Sequence, residues 1–448
     1  MKLICFEDPA VRQLEPITYA RPAYAITCAS FQLLDWLREL SAELTVSVRS
    51  YLAPLENADR DLTAPDWSDL NGEDVLLVNA RLVPRVELRS RLRQLWEQPT
   101  SGVVRCPQTD SILVARFKAS DLVQRGPEGQ GNTSQVSEAV SPFQTTKRNA
   151  TGELRQPSDE GVVKRLIEIA SNFPNGTLAA SAEELPAFRW PHEVVAWHMK
   201  EMNEAMNYRI ASGRYRETED GIFVAEGVSI GDHAVVDTSD GPIVFEEDVS
   251  VGPFCYLAGP VFAGKKTRVI EHAALKDAVA LGHTVKIGGE VEASVIEPYS
   301  NKQHHGFLGH SYLGSWINLG AGTCNSDLKN TYGKINVEYG GEKISTGMQF
   351  FGCVMGDYSK TAINTSIFTG KVIGVCSMLY GFATSNVPSF VNYARLFGQQ
   401  SLLPAEVMVN TQQRMFSRRK VEQREADIQL IHDMYQLSAA EREQGDLY

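Results

Sequence analysis

The sequence predicts an α/β domain followed by a solenoid of short parallel strands and a C-terminal helix. Three observations support this fold class: buried strands that alternate with a helix near the N-terminus, an unbroken six-residue repeat in the middle, and a helical pattern at the end. A chain of 448 residues, of which 43% are hydrophobic, is long enough for two or three domains.

The N-terminal part reads as a Rossmann-like sheet. Residues 2–6, 44–48 and 75–78 are short apolar runs typical of buried strands, and residues 30–40 have apolar residues at helical spacing. Strands that alternate with helices favour a parallel sheet. We therefore expect a domain over residues 1–215.

Two further segments of this domain have distinct compositions. Residues 126–161 are rich in Gly, Ser, Thr, Gln and Asn with few large apolar residues, which predicts a mobile loop. Residues 194–212 follow a Trp-Pro-His-Glu start and have a helical pattern, so this helix should connect the sheet to the next domain.

The middle of the chain repeats one six-residue pattern eight times without a break over residues 245–292. A period of six fits neither an amphipathic helix nor an alternating strand, but it fits a solenoid of short parallel strands. The first and fifth positions of each repeat should fill the interior. The first positions are Phe245, Val251, Leu257, Ala263, Val269, Leu275, Leu281 and Ile287, and the fifth positions are Val249, Cys255, Val261, Thr267, Ala273, Val279, Val285 and Val291.

The same phase returns more weakly before and after this run, which predicts a solenoid over residues 216–400. Three repeats form one triangular coil of about 18 residues, so we expect about six coils stacked about 4.8 Å apart. Residues 295–306 and 325–347 leave the pattern, and insertions of a solenoid usually form its binding face. Residues 401–448 should form a helix that packs along the solenoid or against another subunit.

Charge and cysteine content limit the function classes. A net charge of −12 and a pI near 5.4 argue against bulk electrostatic binding of nucleic acid or membrane, but allow a local basic site for a phosphorylated ligand. The run 418–420 is interpreted as a solvated helix face or a subunit contact. Seven scattered cysteines, with no signal-peptide or membrane-span pattern, predict a cytoplasmic protein.

Residues 300–323, followed by 325–330, resemble the active-site region of the bacterial bifunctional glucosamine-1-phosphate acetyltransferase/N-acetylglucosamine-1-phosphate uridyltransferase family. Segments 6–12, 18–22 and 78–84 resemble a divergent branch of that family, the sugar nucleotidyltransferases. The resemblance covers both domains and is stronger after about residue 240. It implies a left-handed parallel β-helix, and a homotrimer with acyl-CoA bound between neighbours.

The resemblance assigns an acyl-transfer site. His304 would act as the general base on the amino group of an amino sugar phosphate, which attacks the thioester of acetyl-CoA. An imidazole suits this role because it titrates near neutral pH. Asn301, Lys302 and Asn318 would bind the substrate. The residues that would contact the cosubstrate are Gly320, Ala321, Asn325 and Lys329, the last meeting a CoA phosphate.

Two departures from the family change the expected substrate. Phe307 stands where the family has a tyrosine, so one hydroxyl contact is lost. Glu292 stands near the position of a basic residue that holds the sugar phosphate, and Lys302 or Lys286 would replace that charge. These departures leave open a substrate other than glucosamine 1-phosphate, either a different amino sugar or a different acyl acceptor. No Asp, Glu or Cys lies at ligand spacing to the nearby histidines, so no metal site is predicted there.

The N-terminal domain departs further from its relatives. The family's Gly-rich phosphate loop is replaced by residues 7–10, which contain no glycine. Asn79 stands where the family has a magnesium-binding aspartate, and an amide is a poorer ligand for Mg²⁺. Arg12 and Arg21 would still contact nucleotide phosphates, with Mg²⁺ as the cofactor of an active domain.

Three hypotheses follow. The first is an acyl-CoA-dependent N-acetyltransferase on an amino sugar phosphate, with a divergent nucleotidyltransferase domain. The second is a sugar-1-phosphate nucleotidyltransferase that uses the β-helix as a trimerising scaffold. The third is a non-catalytic protein that binds a sugar nucleotide.

Overall fold

A computed structural model of the chain describes residues 1–123, 147–148, 154–155, 158–394 and 398–443. They divide into two compact units. The first unit comprises Met1–Arg12, Pro22–Ala25 and Leu33–Ala187, and the second comprises Gln13–Arg21, Ile26–Gln32 and Phe188–Tyr448. Most of the loop predicted over 126–161 lies outside the described residues, and its last four residues, from Ser158, begin a helix.

The first unit contains a five-stranded sheet with the order β2-β1-β3-β5-β4. Its strands are β1 (Lys2–Phe6), β2 (Leu44–Ser47), β3 (Val75–Asn79), β4 (Gly102–Arg105) and β5 (Ile112–Phe117). The pairs β1–β2 and β1–β3 are parallel, whereas β5 pairs antiparallel with both β3 and β4. The three predicted strands are confirmed, and the sheet is parallel only where those three lie.

Helices cover this sheet. They are α1 (Leu33–Leu40), α2 (Ala53–Arg60), α3 (Val86–Glu97), α4 (Ala119–Val123) and α5 (Ser158–Ala170), with short 3-10 turns at Pro9–Leu14, Ala23–Ala25 and Trp67–Leu70. The short strands Lys147–Arg148 and Leu154–Arg155 pair antiparallel. Phe6, Leu77 and Phe117 of the sheet share one apolar core with Val163 and Leu166 of α5.

The second unit is a parallel β-helix with three faces. Strands of the first face are Ile222–Val224, Ile243–Phe245, Val261–Ala263, Val279–Leu281, Val295–Ile296, Tyr312–Leu313, Cys353–Met355 and Lys371–Ile373, preceded by the antiparallel strand Arg216–Glu219. Strands of the second face are Ser229–Ile230, Ser250–Val251, Arg268–Val269, Lys286–Ile287, Asn301–Lys302, Lys360–Thr361, Met378–Leu379, Val391–Ala394 and the antiparallel Gln399–Leu402. Strands of the third face are Val235–Asp237, Tyr256–Ala258, Ala274–Lys276, Glu290–Glu292, Phe307–Gly309, Cys324–Asn325, Ser366–Ile367 and Phe382–Ala383.

The interior of the β-helix follows the six-residue phase. All eight first positions between 245 and 292 are at most 4% exposed, and all eight fifth positions are at most 1% exposed. All of them except Thr267, whose hydroxyl donates to the Gly282 carbonyl, form one continuous apolar core. The predicted solenoid is confirmed, and the hand of its coil stays a prediction from the resemblance.

The prediction that residues 295–306 form an insertion is wrong. They supply strands of the first and second faces, so this segment is a coil of the β-helix. The first face has eight parallel strands, so the β-helix has more coils than the expected six. Residues 325–347 do leave the solenoid after Cys324–Asn325 and contain the hairpin Asn336–Tyr339 with Glu342–Ser345.

Four helices of the described chain pack against the β-helix. These are α6 (Pro191–Ala211), α7 (Ala405–Arg418), α8 (Glu425–Leu437) and α9 (Ala439–Glu443). The predicted C-terminal helix is therefore broken, because Lys420 takes a φ of 57° and Arg424 caps α8 through Asp427. Phe416 of α7 packs on Trp316 with ring centroids 4.4 Å apart, which confirms that the C-terminal helices pack along the solenoid.

Within the part of the chain that the structure describes, none of the helices combines the length and hydrophobicity of a membrane span.

Candidate functional site

His304 lies exposed at the corner between the second and third faces. It follows the strand Asn301–Lys302 and precedes the strand Phe307–Gly309. Its Nε2 is 3.2 Å from Nε2 of Gln303. The imidazole therefore lies at the protein surface, where a small molecule can reach it.

Lys302 positions the segment that carries His304. Its side chain is buried, and Nζ donates to the carbonyl oxygens of Gly288 at 2.7 Å and of His304 at 3.0 Å. Burial lowers the pKa of Lys302 to about 8, although nearby Cys324 and Glu290 act in the opposite direction. Lys302 thus fixes the backbone of the corner. The sequence placed it at the substrate, but its amine is directed inward.

Glycines lie on either side of His304 at positions where a side chain would collide with the backbone of the next coil. A Cβ on Gly288 would lie 2.4 Å from the carbonyl oxygen of Gln303, and one on Gly320 would lie 2.6 Å from Ala362 backbone atoms. We call Gly288, Gly289, Gly320 and Gly322 the glycine trough. These glycines allow the backbones of consecutive coils to touch closely at the corner that carries His304.

Asn301 and Asn318 meet on the second face. The Nδ2 of Asn301 donates to Oδ1 of Asn318 at 3.4 Å, and Arg419 donates to Oδ1 of Asn301. Asn318 is exposed, and its backbone bridges those of Asn301 and Lys360. The structure therefore brings together the two asparagines that the sequence assigned to the substrate. Asn301 lies in the same coil as His304, and Asn318 lies in the next coil.

The predicted cosubstrate residues separate into two groups. Gly320 and Ala321 lie at a corner of the β-helix, and the Ala321 carbonyl accepts from the amide of Asn364 at 2.7 Å. Asn325 is buried, and its Nδ2 donates to the Gly309 carbonyl at 3.0 Å while its Oδ1 accepts from the Gly309 amide at 2.8 Å. Both polar atoms of its side-chain amide are therefore used within the β-helix, which corrects the predicted contact between Asn325 and the cosubstrate.

Lys329 lies in the segment that leaves the solenoid, and its Nζ donates to the carbonyl oxygen of Lys334. At the base of that segment, Nδ1 of His310 is 2.9 Å from Oδ2 of Asp327, and the imidazole stacks on Phe350 with centroids 5.3 Å apart. His310 is buried. The pair fastens the start of the segment to the β-helix.

In the first unit, polar side chains at the ends of β1 and β3 hold one another. Asp8 accepts from Nε and one terminal nitrogen of Arg81, at 2.7 and 2.6 Å. The Nδ2 of Asn79 donates to Oδ2 of Asp8 at 2.9 Å and to the carbonyl of Ile112 at 2.8 Å. All three polar side chains are buried.

These contacts do not fit a Mg²⁺ site. A hard cation needs several free oxygen ligands, whereas the Asp8 carboxylate already has a bidentate partner and Asn79 presents its amide nitrogen. Among the described residues, no three His, Cys, Asp or Glu side chains group as metal ligands.

The basic residues predicted for the nucleotide also differ from expectation. Glu7, in the place of the phosphate loop, accepts from Nε of Arg49 at 3.0 Å. Arg12 is exposed on the turn Pro9–Leu14. Arg21 belongs to the second unit, so the two predicted arginines fall in different units.

Arg21 is part of a buried ion cluster on the β-helix. It donates to Ser315 Oγ at 3.0 Å, pairs with Asp357, and lies 3.1 Å from Oε1 of Glu297. Tyr312 donates to the same Glu297 oxygen at 2.7 Å. Burial opposes the charge of Arg21, but Asp357 and its other neighbours raise its pKa above the ordinary value. Arg21 is therefore a structural residue, which corrects its predicted contact with phosphate.

Sequence reasoning assigned no ligand to Arg268 of the second face, or to Arg418 and Arg419 at the end of α7. Arg268 pairs in register with Lys286 of the next coil, and Arg419 contacts Asn301. A signal for the first was present, because Arg268 and Lys286 are one 18-residue coil apart and precede the first positions of two repeats.

The α/β sheet unit and the six-residue-repeat β-helix are the two architectures that the resemblance implied. Residues 3–214 match the family described as sugar nucleotidyl transferase. This match confirms the resemblance for the N-terminal part.

Curated relatives match shorter stretches. The chain is 32% identical over 148 residues to the bifunctional sugar-1-phosphate nucleotidylyltransferase/acetyltransferase of Sulfurisphaera tokodaii, covering 33% of this chain and 37% of that protein. It is 33% identical over 118 residues to the bifunctional protein GlmU of Ralstonia nicotianae, covering 25% of each. The chain thus matches less than half the length of these relatives.

A solved structure of the UDP-N-acetylglucosamine acyltransferase of Francisella novicida is 13% identical and covers 49% of this chain and 88% of its own, with a TM-score of 0.25. That score is too low to support a conclusion about the fold.

Proposed function

We propose that the protein is an acyl-CoA-dependent N-acetyltransferase that acts on an amino sugar phosphate and has a divergent nucleotidyltransferase domain. The observation that supports this most is the exposed imidazole of His304 beside the glycine trough. The bifunctional name of the Sulfurisphaera relative supports the same pairing of activities.

In the proposed reaction, acetyl-CoA supplies the acyl group. Its pantetheine arm lies along the glycine trough, so that the thioester reaches His304. The substrate amine attacks the thioester carbon, a C–N bond forms, and His304 accepts the proton that the amine loses. The C–S bond then breaks, and the CoA thiolate leaves and takes up a proton.

The neighbouring residues have supporting roles in this proposal. Lys302 holds the backbone of His304 and so orients the imidazole without touching the substrate. Asn318 and Asn301 offer amide groups to the sugar. Phe307 provides an apolar contact in place of a hydroxyl, so the acceptor differs from one that needs a phenol at this position.

We further propose a homotrimer, because a single β-helix leaves its corner open on one side, and a neighbouring copy would cover the bound acyl-CoA. A cytoplasmic location is supported by the seven cysteines, all of which are free thiols. Sedimentation with and without acetyl-CoA tests the assembly, and a monomer under both conditions refutes it.

A second candidate function is sugar-1-phosphate nucleotidyl transfer with Mg²⁺, favoured by the family match over residues 3–214. It ranks lower because Asp8 would have to leave Arg81 before binding a cation. Pyrophosphate release from nucleoside triphosphates with sugar 1-phosphates and Mg²⁺ tests it, and release by the wild-type protein would promote this candidate.

The main proposal is tested by thiol release from acetyl-CoA with a panel of amino sugar phosphates. His304→Ala should lose the activity, by about 100-fold or more, because general base catalysis typically contributes that much. His305→Ala is the matched control, since this neighbouring imidazole is also exposed and has no role in the proposal. Unchanged turnover in His304→Ala would reject the assignment.

A further inference from the structure

The second face of the β-helix has a column of cations. Arg268 pairs in register with Lys286, and Lys286 with Asn301, on three successive coils. Arg419, just after α7, donates to Oδ1 of Asn301, and Arg418 precedes it. We call Arg268, Lys286, Arg418 and Arg419 the cationic ladder.

Among the described residues, no carboxylate forms an ion pair with any member of the ladder. Burial lowers the pKa of Lys286, and Arg419, Arg268 and Arg418 lower it further, so its strongest electrostatic neighbours are all cations. Four such cations in a chain with a net charge of −12 require an explanation.

The third face of the same coils shows the opposite arrangement. Lys276 lies 2.9 Å from a Glu290 carboxylate oxygen and 3.6 Å from one of Glu292. Its hydrogen bond to Glu290 raises its pKa. Cations are therefore neutralised on the third face and left without carboxylate partners on the second face.

A helix end explains only part of the ladder. Arg418 and Arg419 lie at the C-terminal end of α7, where the helix dipole favours positive charge. Arg268 and Lys286 lie on strands, where no dipole acts, and they still lack an acidic partner within the described chain.

The ladder ends at the proposed acyl-transfer site. Asn301 contacts both Arg419 and Asn318, and it lies three residues before His304. A ligand whose phosphate rests on the ladder would therefore place its sugar near the asparagines and its amine near the imidazole.

We propose that the cationic ladder binds the phosphate or pyrophosphate group of the acceptor that is acylated at His304. Guanidinium groups bind phosphate oxygens in a bidentate way, and a lysine adds a compact charge. This inference rests on the proposed function. It also explains why Glu292 can occupy the position where relatives place a phosphate-binding cation: the phosphate is held on the second face instead.

The test is equilibrium binding to the full-length protein without acetyl-CoA. Inorganic phosphate, inorganic pyrophosphate, glucosamine 1-phosphate, a UDP-amino sugar and free glucosamine are the probes. The R268Q/K286Q double variant should bind the phosphorylated probes at least about tenfold more weakly, because each lost charge-assisted hydrogen bond is worth about that factor. Lys276→Gln is the matched control and should bind them as the wild type does.

Comparison of glucosamine 1-phosphate with the UDP-amino sugar shows which acceptor the ladder prefers, and either preference supports the proposal. Equal affinity of the double variant and the wild type for every phosphorylated probe would overturn it. So would a changed oligomeric state with unchanged binding. The same titrations on His304→Ala separate the two proposals, since ladder binding should survive in that variant even if the acyl-transfer assignment fails.

Discussion

Arg21→Met should strongly destabilise the second unit, because it removes the cation from a buried cluster with two carboxylates. The side chains of Glu297 and Asp357 are 0% and 1% exposed, and Arg21 contacts both. Removing one partner of a buried ion pair typically costs about 3–5 kcal/mol. Since one guanidinium serves both carboxylates here, we expect a loss of about 4 kcal/mol.

The pH dependence of this variant gives a second check. Burial raises the pKa of Asp357, whereas Arg21 and the Ser315 amide oppose that shift. Without Arg21 the folded protein should hold a proton on this carboxyl at higher pH than the unfolded chain does. Its stability should therefore increase as the pH falls from neutral toward the ordinary aspartate range, so part of the loss is recovered.

The assay is urea denaturation followed by intrinsic fluorescence at neutral and mildly acidic pH. Lys276→Met is the control, because this lysine also pairs with two carboxylates but is 30% exposed, and such a pair contributes below about 1 kcal/mol. Equal midpoints for Arg21→Met and Lys276→Met, or a loss that grows on acidification, would refute the reasoning.

Three further predictions concern the corner and the first unit. Burial lowers the pKa of Lys302 from 10.5 to about 8. Between these values the unfolded chain holds a proton that the folded protein lacks, so the wild type should become more stable as the pH rises from 8 to 10.5. In Lys302→Met, the free energy of unfolding should rise with pH less steeply than in the wild type, by up to about 1.4 kcal/mol per pH unit. Denaturation of both proteins across this pH range measures the difference, and the same pH dependence in both would contradict the prediction. Gly306→Ala should lower the thermal midpoint, at a cost of about 3 kcal/mol, because the φ of Gly306 is 131° and the new Cβ would lie 2.1 Å from a backbone oxygen. Gly333→Ala is the control, because the nearest atom to its new Cβ is 3.8 Å away, and no shift of the midpoint is expected. Asn79→Asp should cost about 2 kcal/mol, because a carboxylate would replace the amide that donates to Asp8. Recovery of that stability on adding Mg²⁺ in calorimetry would contradict our account of this strand end.

The solenoid was predictable because its interior residues recur at a fixed interval along the sequence. Positions six residues apart, such as Phe245 and Val251, point into the same core, so a one-dimensional pattern specifies the packing. The phase failed at residues 295–306, where Ala293 turns the chain early with a φ of 45° and the coil is shorter than its neighbours. A shortened coil breaks the period although it continues the structure.

The site was less predictable because its contacts join distant residues. Arg21 and Asp357 are 336 residues apart, so no local pattern relates them. Asn325 looks like a polar surface residue in sequence, yet its amide is fully used by Gly309 and Ser311 of the previous coil. His304 could be placed from its motif, whereas the inward direction of Lys302 depends on a carbonyl one coil away.

The central claim is that an amine of a phosphorylated sugar is acylated beside His304. The most direct measurement is mass spectrometry of the products formed from isotopically labelled acetyl-CoA and a panel of amino sugar phosphates, with the matching hydroxyl sugar phosphates as controls. We expect label on the nitrogen of at least one amino sugar phosphate and none on the hydroxyl controls. Label on oxygen alone, or no labelled product with any acceptor, would contradict the account.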